Sequence, residues 1–140
     1  MHMQGTPQTM QIDPRYGNVA REVQQFFITR LDQLSDCEVA REQIILDPGI
    51  GFGKTREHNL QLLGALKTFT QLERPVLLGV SRKSFLTKAD GMAVAGVAAA
   101  GLACACLAVE AGVQIIRAHD VAQTVQGIRM TEAILARRTI

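Results

Sequence analysis

The chain has 140 residues, 47% of them hydrophobic and 20% charged, which is enough apolar content to bury a core and excludes disorder by composition. A formal net charge of +2, with no run of five like charges, excludes the strong basic field that a nucleic-acid partner requires. Three cysteines, Cys37, Cys104 and Cys106, stand without C-x-x-C spacing and read as reduced thiols of a cytoplasmic protein, and residues 1–5 lack the basic-then-apolar pattern of a secretory signal.

In chain order, Val19, Val23, Phe26, Phe27, Arg30, Leu31 and Leu34 recur at helical spacing and predict a first helix. The run Ile44-Ile45-Leu46 follows, β-branched and without polar alternation, as in strands buried on both faces. Leu60, Leu63, Leu66 and Phe69 then predict a second helix over about 59–69, and Val76-Leu77-Leu78 a second strand. Residues 92–109 carry no charge and approach the shortest length for a membrane span, about 17 residues. Alanine and glycine dominate them, so they read instead as a helix that is buried or packs closely on another subunit, with no membrane partner. A third strand at Val113-Gln114-Ile115-Ile116 leads to a last helix over about 120–136. Asp120 and Gln123 suggest a capping box there, Val121, Val125, Ile128, Ile134 and Leu135 its buried side, and Arg137 and Arg138 a basic C-terminus.

This β-α-β-α order predicts a parallel sheet, in which all strand C-termini lie on one side. Polar chemistry gathers at those ends. The first strand runs into Asp47-Pro48-Gly49-Ile50-Gly51-Phe52-Gly53-Lys54, the second into Gly79-Val80-Ser81-Arg82-Lys83-Ser84, and the third into Arg117-Ala118-His119-Asp120. Asp47 is suited either to a ligand with two adjacent N–H donors or to an Asx turn into Pro48-Gly49. The glycines let backbone approach a ligand, or make an ordinary loop. Gly53-Lys54-Thr55 imitates the end of a phosphate-binding P-loop, but the opening glycine would fall on Pro48, which rules that motif out. Ser81, Arg82, Lys83 and Ser84 suit an anion at a helix start, or simple N-capping with solvated cations. Arg117 and His119, two apart, point the same way in an extended segment and suit a pyrophosphate. His2, His58 and His119 show no metal-ligand spacing, and no metal is assigned to this chain.

With residues 1–7, these three clusters in this order resemble the successive signatures of the dihydropteroate synthase family. The resemblance covers essentially all of residues 1–140 as one domain, the C-terminal part of a pterin-binding enzyme. It implies an α/β fold of the (β/α)8 TIM-barrel type, of which the chain corresponds to about the last four βα units, a half-barrel. The implied substrates are a pterin pyrophosphate and p-aminobenzoate, joined as pyrophosphate leaves. It also implies that Asp47, Gly79, Lys83, Met1 and Arg117 bind the pterin, Phe52 and Ser84 the p-aminobenzoate, and Arg117 and His119 the diphosphate. Arg117, His119 and Lys83 are the implied catalytic groups, and Gly51, Gly53, Ser81 and Arg82 belong to the site loops. A Mg2+ ion is the implied cofactor, its ligand expected in the earlier half of the barrel, and the chain is expected to be a homodimer or to self-associate, with the helix over about 94–108 the implied candidate interface. Alternatives are a non-catalytic half-barrel and a related pterin-binding methyltransferase.

Overall fold

The computed structural model describes residues 1–86 and 97–138. Its helices are α1 (Val19–Asp36), α2 (Arg56–Gly64), α3 (Leu66–Thr70), α4 (Val97–Glu110) and α5 (Val121–Leu135), and its strands are β1 (Leu77–Gly79) and β2 (Ile115–Arg117). The strands are parallel, with Leu77 opposite Ile115 and Gly79 opposite Arg117. Leu46 bridges Val76 in the same parallel sense. The Leu46 N–H donates to Pro75 O at 2.8 Å, and the His2 N–H donates to Asp47 O at 3.0 Å. Four extended segments thus lie side by side in chain order, with their C-terminal ends on one side.

Alternation along these short strands sorts the side chains onto two faces. Ile44, Leu46, Val76 and Leu78 are buried against the helices, with Val23 and Phe27 of α1, Leu62 of α2, and Leu66 and Phe69 of α3. Phe27 and Phe69 meet edge to face, their ring centroids 5.7 Å apart. The other face is open: Ile45 is 50% exposed. The expectation of strands buried on both faces holds only on the helix side.

Local chemistry explains where the helices start. Asn18 caps α1 by accepting from the Arg21 N–H, while the Glu22 carboxylate accepts from the N–H groups of Gly17 and Asn18. In α2 the Thr55 hydroxyl accepts from the His58 N–H and His58 Nδ1 accepts from the Thr55 N–H, a reciprocal box that occupies this histidine. The second predicted helix is two short ones, broken at Ala65. Its buried positions are Asn59, Leu62, Leu66 and Phe69, and Leu60 is 40% exposed, so the expected stripe is displaced by this turn.

Within the described residues the alanine-rich segment is helical from Val97, so its expected start lies outside them. No described helix is long and apolar enough to cross a membrane. Its small residues allow α5 to approach closely, and a Cβ on Gly127 would stand 2.4 Å from Leu102 Cδ1. The predicted burial of α5 is corrected by the structure. None of its residues is buried, Val121 and Ile134 being 60% and 56% exposed, because among the described residues α5 packs mainly on α4. Asp120 makes no side-chain cap either, since its carboxylate takes a hydrogen bond from Arg82. Phe27→Ala is expected to destabilise the chain by about 3–5 kcal/mol and Leu60→Ala by less than about 0.5 kcal/mol, read from urea unfolding midpoints.

Candidate functional site

The loop from Asp47 to Lys54 folds around a buried ammonium. Lys54 is only 4% exposed, and its Nζ donates to Gly49 O at 3.0 Å and to Phe52 O at 2.9 Å, with His2 Nδ1 also at 3.0 Å. Burial pulls its pKa down to about 8, partly opposed by the Asp47 carboxylate. His2 is held neutral, its pKa lowered to about 4 first by burial and then by the Lys54 charge, which leaves Nδ1 to accept. Gly49 lies so close to the first segment, at φ +66°, that a Cβ would stand 1.9 Å from His2 O. The glycine loop therefore serves this internal contact. Gly51 donates its N–H to the buried Asn59 Oδ1 at 2.7 Å, and Gly53 O accepts from the Tyr16 hydroxyl at 2.8 Å.

Asp47 divides its two oxygens. Oδ1 accepts from the Gly49 N–H at 2.8 Å, which realises the Asx turn. Oδ2 stands on the open face, 3.7 Å from the Arg117 guanidinium. That guanidinium crosses Gly79, where a Cβ would lie 2.6 Å from it, so only glycine at 79 lets Arg117 reach toward Asp47. The half-buried Lys83 completes this group. Its Nζ donates to Ile50 O and lies 4.8 Å from the centroid of the Phe52 ring. Burial lowers its pKa, Asp47 raises it and Arg117 lowers it further. Phe52, Lys83 and Ser84 together line an open cleft of about 550 Å³, beside Thr55 and Arg56.

The remaining predicted residues separate. Ser81 faces His119, its Oγ 3.0 Å from Nδ1. Arg82 meets Asp120 at 2.9 Å. Ser84 opens a short 3-10 turn, and the helix expected after it lies outside the described residues. Met1 is exposed at the edge of the first segment. The structure thus brings Asp47, Gly79, Lys83, Phe52 and Arg117 together on the open face, places His119 beside Ser81, and pairs Arg82 with Asp120. Carboxylate, cations and an aromatic ring offer paired hydrogen bonding, anion binding and stacking. Phosphate binding by Lys54 is excluded, since all of its donors face inward carbonyls and His2.

Residues 1–119 match the family model described as pterin binding enzyme. The chain belongs to this family. It is 41% identical to the dihydropteroate synthase of Escherichia coli over 136 residues, which are 97% of this chain and 48% of that one. The pterin-binding fold also matches solved structures. The dihydropteroate synthase of Yersinia pestis in a sulfonamide drug complex gives a TM-score of 0.91 at 36% identity, over 98% of this chain and 50% of that one. The Stenotrophomonas maltophilia enzyme with imidazole in its active site gives 0.91 at 40% identity, over 99% and 52%. The chain spans about half the length of the pterin-binding relatives it matches.

Sequence reasoning missed the buried lysine, although a lysine that closes a strand-end loop without a complete P-loop was its visible signal. His2 carries the same lesson. Its ordinary pKa of 6.5 falls to about 4 on folding, so the unfolded chain binds the extra proton between those values and stability rises with pH from about 4 to about 6.5. Urea midpoints at pH 5 and pH 7 are expected to differ less in His2→Gln than in the parent.

Proposed function

We propose that the chain is the later half of a dihydropteroate synthase, a transferase that joins p-aminobenzoate to a pterin pyrophosphate in folate synthesis. The observation that carries this reading is the Asp47 carboxylate on the open face, set across Gly79 from Arg117 and next to the cleft of Phe52, Lys83 and Ser84. A carboxylate there accepts two parallel hydrogen bonds from the amino group and ring N–H of a pterin. Lys83 meets the ring oxygen and nitrogen, Gly79 leaves room for the ring, Met1 packs on it, and Arg117 stacks over it. Phe52 contacts the p-aminobenzoate ring, and Ser84 holds its carboxylate.

The chemistry asks little of the protein as acid or base. The amine of p-aminobenzoate attacks the pterin methylene, the carbon–oxygen bond breaks, pyrophosphate carries away the electron pair, and the surplus proton on the amine passes to the departing pyrophosphate or to water. Arg117 and His119 stabilise the charge that grows on it, and enclosure of the reacting groups holds them in line. Lys83 adds a second cation near the ring without becoming a nucleophile.

Magnesium does not fit the strand-end residues described here. Asp47 is turned to the Gly49 N–H and Arg117, and Asp120 to Arg82, whereas Mg2+ requires six oxygen ligands in near-octahedral geometry. We assign its ligand to the earlier half of the barrel. We read residues 1–140 as one domain comprising four of eight βα units. The exposed apolar residues of α5 and the open face make it dependent on further units or on a second copy. The three free thiols suit a reducing cytoplasm.

Asp47→Asn keeps the shape of the side chain but removes the charge that faces the ligand. It is expected to weaken binding of a pterin pyrophosphate analogue in a calorimetric titration by about 10- to 100-fold, from the loss of hydrogen bonds to a charged group. Unchanged affinity would contradict the assignment of Asp47.

A further inference from the structure

We infer that Ser81 is a positioning residue for His119, one that holds the imidazole so that Nε2 is the atom offered to an anionic ligand; the inference rests on the reading of His119 as a diphosphate partner. Two residues beyond the register pair of Gly79 and Arg117, Ser81 sits opposite His119. Its Oγ accepts from the backbone N–H of His119 at 3.1 Å and lies 3.0 Å from Nδ1 of the same residue. Both ends of His119, backbone and ring, are therefore held by one hydroxyl.

The inventory of that hydroxyl is one proton and two lone pairs. One lone pair takes the backbone N–H. The proton then serves a neutral ring by donating to Nδ1, which leaves the ring proton on Nε2. The second lone pair serves the imidazolium by accepting from Nδ1–H. In the imidazolium, and in the neutral tautomer to which the hydroxyl donates, Nε2–H is the donor left free, as binding to a diphosphate oxygen beside Arg117 requires. Without the hydroxyl the ring is free to rotate, and its proton can settle on either nitrogen. This is how a partner on one imidazole nitrogen selects the chemistry of the other.

A second link keeps the two loops together independently. Arg82 bridges to Asp120 at 2.9 Å, joining the residues that follow Ser81 and His119. Loss of the Ser81 hydroxyl therefore leaves the loops tied while it releases the ring. The pairing also gives Ser81 a use other than anion binding, because its Oγ is directed at His119.

The test compares the parent chain with Ser81→Ala and Ser81→Thr. Long-range proton–nitrogen correlation spectra of the His119 ring, recorded where the ring is neutral, are expected to show the Nε2–H tautomer in the parent and Ser81→Thr, and a tautomer mixture in Ser81→Ala. Calorimetric titration with inorganic pyrophosphate is expected to weaken by about tenfold in Ser81→Ala and to recover in Ser81→Thr, the scale of one hydrogen bond. A Ser81→Ala chain with the parent tautomer and the parent affinity would overturn the inference. Failure of the parent to bind pyrophosphate overturns the diphosphate reading instead, and the tautomer comparison still decides the role of Ser81.

Discussion

The buried ammonium of Lys54 organises this end of the molecule. A lysine that is 4% exposed must find acceptors, and it finds them in the carbonyls of Gly49 and Phe52 and in His2 Nδ1. To supply those carbonyls the loop after Leu46 must curl inward, and the glycine at 49 permits the first segment to lie against it. The curl has two consequences on the outside. It presents Phe52 beneath the Lys83 ammonium, and it aligns the Gly49 N–H with one oxygen of Asp47, which leaves the other oxygen facing the open side. An interior requirement of the loop thus shapes the surface that we assign to the ligand.

Charge is distributed on that surface with one carboxylate among several cations. Asp47 partly offsets the burial of both Lys54 and Lys83 and stands near Arg117, so its negative charge is supported from several directions. The cations are not interchangeable. Lys54 is fully engaged inside the loop and Arg82 is bound to Asp120, whereas Arg117 and Lys83 remain on the open face. A ligand with a flat hydrogen-bonding edge and an anionic tail matches this division, and we assign its edge to Asp47 and its tail to the end of β2, where Arg117 and His119 stand.

Much of this was legible in the sequence, for identifiable reasons. Unalternating runs of aliphatic residues marked the strands, and the polar clusters behind them marked the candidate site, because parallel order alone brings strand ends together. The α1 stripe was legible since Val19, Val23 and Phe27 follow one helical face. The α2–α3 stripe was not, because the break at Ala65 changes which residues face inward. The burial of α5 was misread for another reason. Val121, Val125 and Ile134 form an apolar pattern, but a pattern shows only that a helix has a face to cover, and here α4 covers too little of it. At the candidate site, one oxygen of Asp47 makes the Asx turn, and the proposed ligand reading rests on the other. The pairing of Arg82 with Asp120 was not legible, because Asp120 lies in a distant cluster that sequence spacing cannot bring near.

The central claim is that these strand ends already hold a pterin-binding face. Amide correlation spectra of the chain, recorded during titration with a 6-hydroxymethylpterin, test it most directly. The account predicts saturable shifts concentrated at Asp47, Gly79, Lys83 and Arg117. A folded spectrum that stays unchanged, or one whose shifts gather along α4 and α5 instead, would contradict it.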